Sequence, residues 1–136
     1  QVPDTRAAGT LDIGNATNAA NCTGQSTSGY GIHATSVTNS HGRSSTTTGI
    51  NASSVANSYG ISTSGTGISA AAVTGSFGQS TSGNGIEASS TSDSRGFTSS
   101  GIGINTDTAD NCTAFTSTGQ YGIKASSTVQ NCRASI

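Results

Sequence analysis

Isoleucine recurs along this chain at a fixed interval. Ile32, Ile50, Ile68, Ile86 and Ile104 stand eighteen residues apart, and each follows a glycine. Ile13 precedes Ile32 by nineteen residues, and Ile123 follows Ile104 by nineteen. Other ranks keep the same phase. Two residues after the isoleucine come Ala34, Ala52, Ala70 and Ala88, then Thr106. Five after it come Val37, Val55 and Val73, then Thr91 and Ala109. Eight after it come Ser40, Ser58, Ser76 and Ser94, then Cys112; ten after it come Gly42, Gly60, Gly78 and Gly96, then Ala114. Independent ranks that agree over five copies define a tandem repeat, and a period near twenty residues is the mark of a solenoid.

Within a copy, small residues alternate with variable ones, as in Ile-x-Ala and Ser-x-Gly-x-Ser. That period of two belongs to strands. Gly, Ser, Thr and Asn disfavour helix, because they lose backbone entropy or bond locally to the chain. The pattern therefore predicts an all-β, single-stranded β-solenoid with coils of about eighteen residues, stacked about 4.8 Å apart in parallel sheets. Six to seven coils over 13–136 make a rod roughly 30 Å long, with 1–12 as an N-terminal cap or lead-in. Paired glycines at the corners, Gly65 with Gly67 and Gly83 with Gly85, are expected to supply positive φ. Inward Ile, Ala, Val, Ser and Gly cannot fill the usual gap of about 10 Å between sheets, so the sheets must approach closely. An unpaired buried hydroxyl costs about 1–3 kcal/mol; a regular serine rank should thus be a satisfied ladder. Asn39, Asn57, Asn111 and Asn131, just before that rank, are expected to bond the backbone of their own or the next coil.

Composition sharpens the picture. The chain has 25 Ser and 22 Thr among 136 residues, and only 19 Leu, Ile, Val and Phe together. A conventional greasy core is excluded. Disorder is disfavoured as well, because it usually joins few apolar residues to high net charge, and the formal charge here is -1. Five Lys and Arg make no basic field for nucleic acid. No apolar run approaches a membrane span.

Gly29-Tyr30-Gly31-Ile32-His33-Ala34 through Asn39-Ser40-His41-Gly42 resembles the parallel β-helix repeats of the pectin-lyase-like kind. The short Ser/Thr-rich coil is also similar to the tight β-solenoids of insect antifreeze proteins. The likeness runs over residues 13 to 133. It implies architecture and leaves activity open; pectin-lyase coils usually run longer, and beetle antifreeze coils shorter. An eighteen-residue coil also accommodates three hexapeptides of a left-handed helix. The residues six and twelve after each Ile, Thr38, Ala56, Thr74 and Ser44, Ser62, Ser80, are not the apolar corners that arrangement needs, so right-handed coiling is expected.

Cys22, Cys112 and Cys132 share the serine rank, each in an Asn-Cys pair. They read as small fillers, or, for Cys112 and Cys132 in adjacent coils, as partners in a disulfide. No ligand spacing resembles a metal site, and no cofactor is expected. A start at Gln1 fits removal of a signal peptide, which points to a secreted or cell-surface protein. Open ends make the chain either a piece of a longer array or a unit that associates end to end. Sequons at Asn15, Asn21, Asn51 and Asn111 arise readily in such a composition.

Gly29-x-Gly-x-x-Ala34 mimics a dinucleotide fingerprint, but it recurs every coil with no helix after it, so turn glycines explain it. Asp107 and Asp110 with Arg95 are the only candidates for a polysaccharide-cleaving constellation, and solvated turn charges explain them better. Two surface features remain. Tyr59, Ile61, Phe77, Phe97 and Phe115 occupy ranks nine and eleven after the isoleucine and would form an exposed apolar stripe, the kind that marks interaction surfaces; alternatively the rings fold over the narrow coil. Ser45, Thr63, Thr81, Ser99 and Ser117, expected next in the same strand and flanked by further Ser and Thr such as Ser44, Ser62 and Ser80, would form a flat hydroxyl face. The function expected is that of a secreted, non-catalytic structural, adhesive or self-assembling module. The alternatives are ice binding through the hydroxyl face and a carbohydrate-active β-helix enzyme. Expected partners are further copies, end to end or side by side, or an ice or carbohydrate surface, without nucleic acid or membrane insertion.

Overall fold

The computed structural model describes residues 13–136; the expected N-terminal cap at 1–12 lies outside the described residues. Long and short strands alternate, numbered in chain order. The long ones are β1 (Ile13–Ala20), β3 (Ile32–Thr38), β5 (Ile50–Ala56), β7 (Ile68–Thr74), β9 (Ile86–Ser92), β11 (Ile104–Asp110) and β13 (Ile123–Gln130). The short ones are β2 (Thr23–Ser26), β4 (His41–Ser44), β6 (Tyr59–Ser62), β8 (Phe77–Ser80), β10 (Arg95–Thr98), β12 (Thr113–Thr116) and β14 (Arg133–Ser135). Each set forms its own seven-stranded parallel sheet in coil order. Ile32 pairs with Ile50, Ile50 with Ile68, Ile68 with Ile86 and Ile86 with Ile104. The chain is a parallel β-solenoid of about seven coils, as the repeat predicts. No helix occurs among the described residues. The extra residue of the first coil is absorbed where the register shifts between Ile13 and Ala16; near the other end one extra residue falls before Ile123, and a second is absorbed in β13 where the register shifts opposite Thr106 and Thr108.

The core is a column of isoleucines. Ile32, Ile50, Ile68, Ile86 and Ile104 are all 0% exposed, and full burial of such a side chain is worth about 1.5–3 kcal/mol. Val37, Val55, Val73, Thr91 and Ala109 form a second buried column. Isoleucine and valine sit an odd number of residues apart, so the long strand reverses its inward phase between them. Ala52, Ala70 and Ala88, at the reversal, are only partly buried.

Glycine sets the thickness. A Cβ on Gly42 would lie 2.5 Å from Ile50 Cγ1, and one on Gly49 would lie 2.5 Å from the Ile61 carbonyl oxygen in the next coil. The sheets meet where only hydrogen fits. The corner glycines do not supply the positive φ expected of them. Gly65, Gly67, Gly83 and Gly85 have none, and a Cβ on Gly65 would instead strike the Thr47 backbone at 2.5 Å. Left-handed backbone falls on the rank before the serines: Asn21, Asn39, Asn57, Asp93, Asn111 and Asn131 at φ 49 to 53°, and Gly75 at 58°. Asn, Asp and Gly tolerate that region best.

The serine rank is the satisfied ladder that burial requires. Ser40, Ser58, Ser76 and Ser94 donate their hydroxyls to the carbonyls of Thr38, Ala56, Thr74 and Ser92. Each oxygen of Ser58, Ser76 and Ser94 also accepts the amide of the preceding coil's serine, at 3.1–3.2 Å. The asparagines before them differ from expectation. Two of the side chains reach neighbouring side chains, not backbone: Asn111 donates to Asp93 at 2.6 Å, and Asn131 to Asp110 at 3.4 Å.

A second buried ladder corrects the flank of the expected hydroxyl face. Ser44, Ser62, Ser80, Thr98 and Thr116 point inward. Their hydroxyls donate to the preceding coil's turn carbonyls at Gly29, Thr47, Gly65, Gly83 and Gly101. They also accept the amide three residues on, as Gly65 does to Ser62 at 2.9 Å. This rank closes the bend that returns the chain to the long sheet. No buried side-chain nitrogen or oxygen lacks a partner among the described residues.

Candidate functional site

The apolar stripe lies on the outer face of the short-strand sheet. Four-residue strands that bury Gly and Ser must turn their first and third residues outward, and β6, β8, β10 and β12 do so. Tyr59 is 37% exposed, and Ile61, Phe77, Phe97 and Phe115 are half-buried by their neighbours on the same face. The rings do not fold over the coil. Tyr59 stacks on Phe77 at 4.7 Å between centroids, and Phe97 on Phe115 at 5.0 Å. Such pairs add about 0.5–1.5 kcal/mol beyond area burial. The stripe is a diagonal: one pair stands in the rank nine after the isoleucine, the other in the rank eleven after it. Ring faces are spent on each other, so edges reach solvent.

Polar groups frame it. The Tyr59 hydroxyl donates to Gln79 Oε1 at 3.1 Å. His41 continues the column, 5.0 Å from the Tyr59 ring; partial burial, then the neighbouring Arg43, lower its pKa. Between the column and the left-handed corner runs a groove of about 610 Å³, lined by Asn57, Tyr59, Gly75, Phe77, Asp93 and Arg95 among others. The recurrence of Asn, Gly and Asp seven residues after each isoleucine is the sequence signal that could have located this corner.

The hydroxyl rank sits elsewhere than expected. Ser45, Thr63, Thr81, Ser99 and Ser117 fall in the bend just past the short strands, not within them. Ser45, Thr63, Thr81 and Ser117 are exposed, and Ser99 is half-buried. In the next rank, Thr46, Ser82, Ser100 and Thr118 donate to carbonyls of the preceding coil at 3.0–3.3 Å. This is a curved edge with four of its ten hydroxyls bonded to the backbone. A strand would have held the rank flat; the bend follows from Ser44 and its equivalents turning inward to bind turn amides.

The candidate carboxylates are not gathered with the arginine. Asp107 projects from the long-strand sheet and accepts the Ser126 hydroxyl at 2.6 Å, whereas Arg95 projects from the short-strand sheet. No group of three or more His, Cys, Asp or Glu placed to hold a metal occurs among the described residues. The cysteines are free thiols that continue the serine ladder. The amide of Cys22 donates to the Ser40 hydroxyl oxygen at 3.3 Å, and the amide of Cys112 donates to Cys132 Sγ at 3.3 Å. Burial raises the Cys112 pKa, which keeps the thiol protonated and able to donate to the Asp110 carbonyl. Compared with known proteins, the chain matches no family model, no curated protein and no solved structure.

Proposed function

We propose that the chain is a non-catalytic structural module, secreted or displayed at a cell surface, that adheres or assembles through the outer face of its short-strand sheet. One observation carries the reading: Tyr59, Ile61, Phe77, Phe97 and Phe115 stand outward on that face although the coil has inward space only for Ile, Val and smaller residues. Aromatic edges on a backbone stiffened by two sheets and two hydroxyl ladders make a preordered contact surface, and prior order lowers the entropic cost of binding.

Ice binding draws less support, because the hydroxyl rank lies along a bend and its neighbours are bonded to carbonyls. A carbohydrate-active enzyme draws less still, with Asp107 and Arg95 on opposite sheets. The test is adsorption of the intact chain to hydrophobic and polysaccharide beads, compared with a Phe97→Ser, Phe115→Ser variant. Retention lost in the variant, with an unchanged circular dichroism spectrum, supports the stripe. Equal retention overturns it, and thermal hysteresis by either protein would favour the ice-binding reading.

A further inference from the structure

The two broad faces of the rod differ in charge as well as in relief. Among the described residues, the short-strand face carries Arg43, Arg95 and Arg133 with His41, and its strands hold no carboxylate; Asp93 stands beside them at the corner of the groove, where it accepts the Asn111 side-chain amide. The long-strand face carries Glu87, Asp107 and Asp110, with Lys124 as its one formally basic residue. The first face is raised by stacked rings. The second is low: Ser69, Ala70, Ala71 and Ala72 form its middle, Ala71 and Ala72 are exposed, and shallow hollows of about 290 and 150 Å³ lie toward either end, around Ala52 and around Ala88.

From this complementarity we infer that the occupant of the aromatic face is the long-strand face of a second copy of this chain. The inference deepens the assembly reading above and rests on it. Opposite charges on the two faces favour basic-on-acidic docking and penalise either face meeting itself. Rings of one copy then lie over the alanine floor of the next, near Glu87 and Asp107. A contact between two different patches does not close on a pair; the pair retains one free face of each kind, and growth continues sideways as a stack.

The size of the contact sets its strength. Four residues of strand at about 3.3 Å each, over seven coils at about 4.8 Å, give a face of roughly 13 by 30 Å. Even counted on both partners, that falls below the roughly 1,200 Å² of a stable pair. Single contacts are therefore weak, concentration-dependent and weakened by salt.

Sedimentation equilibrium of the intact chain over a wide concentration range tests this. Wild-type protein should form an open series of species that salt dissociates. Phe97→Ser with Phe115→Ser should weaken the series about tenfold or more. The decisive arm uses two charge variants of exposed residues. One has Arg43→Glu and Arg95→Glu on the short-strand face; the other has Glu87→Lys and Asp107→Lys on the long-strand face. Each alone should stay monomeric, because its two faces now share a sign, while an equimolar mixture should associate again, alternating the two. Dimers that stop growing, or association untouched by Glu87→Lys with Asp107→Lys, would overturn face-to-back docking in favour of aromatic faces meeting each other. A monomer at every concentration that still adsorbs to beads through Phe97 and Phe115 would overturn this inference while leaving the adhesive reading standing; loss of both would remove both.

Discussion

The amide of Ser40 donates to the hydroxyl oxygen of Ser58, 3.1 Å away in the next coil, while that hydroxyl donates to Ala56 in its own coil. One small side chain thus joins two rungs and anchors the corner of one. A coil with so little apolar volume relies on such joints, because neighbouring coils supply most of each coil's contacts.

Replacing Ser58 with Ala leaves the Ser40 amide buried without its acceptor. The expected cost is about 1–3 kcal/mol, read from urea denaturation. Ser58→Cys should cost less, since Cys112 in the same rank makes the corresponding carbonyl bond through sulfur. An Ala variant as stable as the parent would show that the ladder is incidental.

Gly60→Ala should be severe. Its Cβ would stand 2.5 Å from Ile68 Cγ1 and closer still to the Gly67 carbonyl, so two sheets of backbone must separate. Overpacking of this kind costs about 1–3 kcal/mol or more. The natural alanines of this rank, Ala114 and Ala134, sit at the end of the stack, where a Cβ on Gly103 or Gly122 would find them at 2.9 Å. Thermal unfolding followed by circular dichroism checks the comparison.

At Gly75 the constraint is torsional. Its φ of 58° matches the 49° of Asn39 and Asn57 in the same rank. Gly75→Asn should therefore be nearly neutral, with the Asn57 side chain shifting to relieve the 2.7 Å approach to the new Cβ. Gly75→Val should destabilise by about 1–3 kcal/mol, because a β-branched residue resists left-handed backbone. Equal stability of the two variants would contradict the assignment.

His41 makes stability depend on pH. Its folded pKa lies below the ordinary value of about 6.5 because burial, then Arg43, disfavours the cation. Well above 6.5 the imidazole is neutral in both states and contributes nothing. As pH falls through 6.5 the unfolded chain binds the proton first, so stability drops, until the folded pKa is also passed. His41→Gln should flatten that part of the stability profile below about pH 7. Parallel profiles for parent and variant would remove His41 as the cause.

The coil, its length and its inward ranks were legible from the chain because a solenoid places each repeat in the same surroundings. Position in the period then maps directly onto position in space, and Ile50 and Ile68 meet for the same reason that they recur. Two readings failed where one residue type serves two purposes. Glycine answers both to positive φ and to close approach; at Gly65 and Gly67 it is the neighbouring coil that excludes a Cβ, and the torsional role passes to Asn57 and Gly75. Serine likewise suits an exposed face and a buried ladder. Ser44 and Ser45 are adjacent and chemically identical, yet one binds the carbonyl of Gly29 while the other meets water.

Local pattern and composition thus settle that this chain coils, how long each rung is, and that its interior is narrow and polar. The stacking of rungs alone decides which hydroxyls are buried, which glycines are irreplaceable, and that the aromatic rings gather on one face with arginines while Glu87 and Asp107 face the other way. Those outcomes depend on which atoms of successive coils touch, and distances across a rung are not a property of any single stretch of sequence.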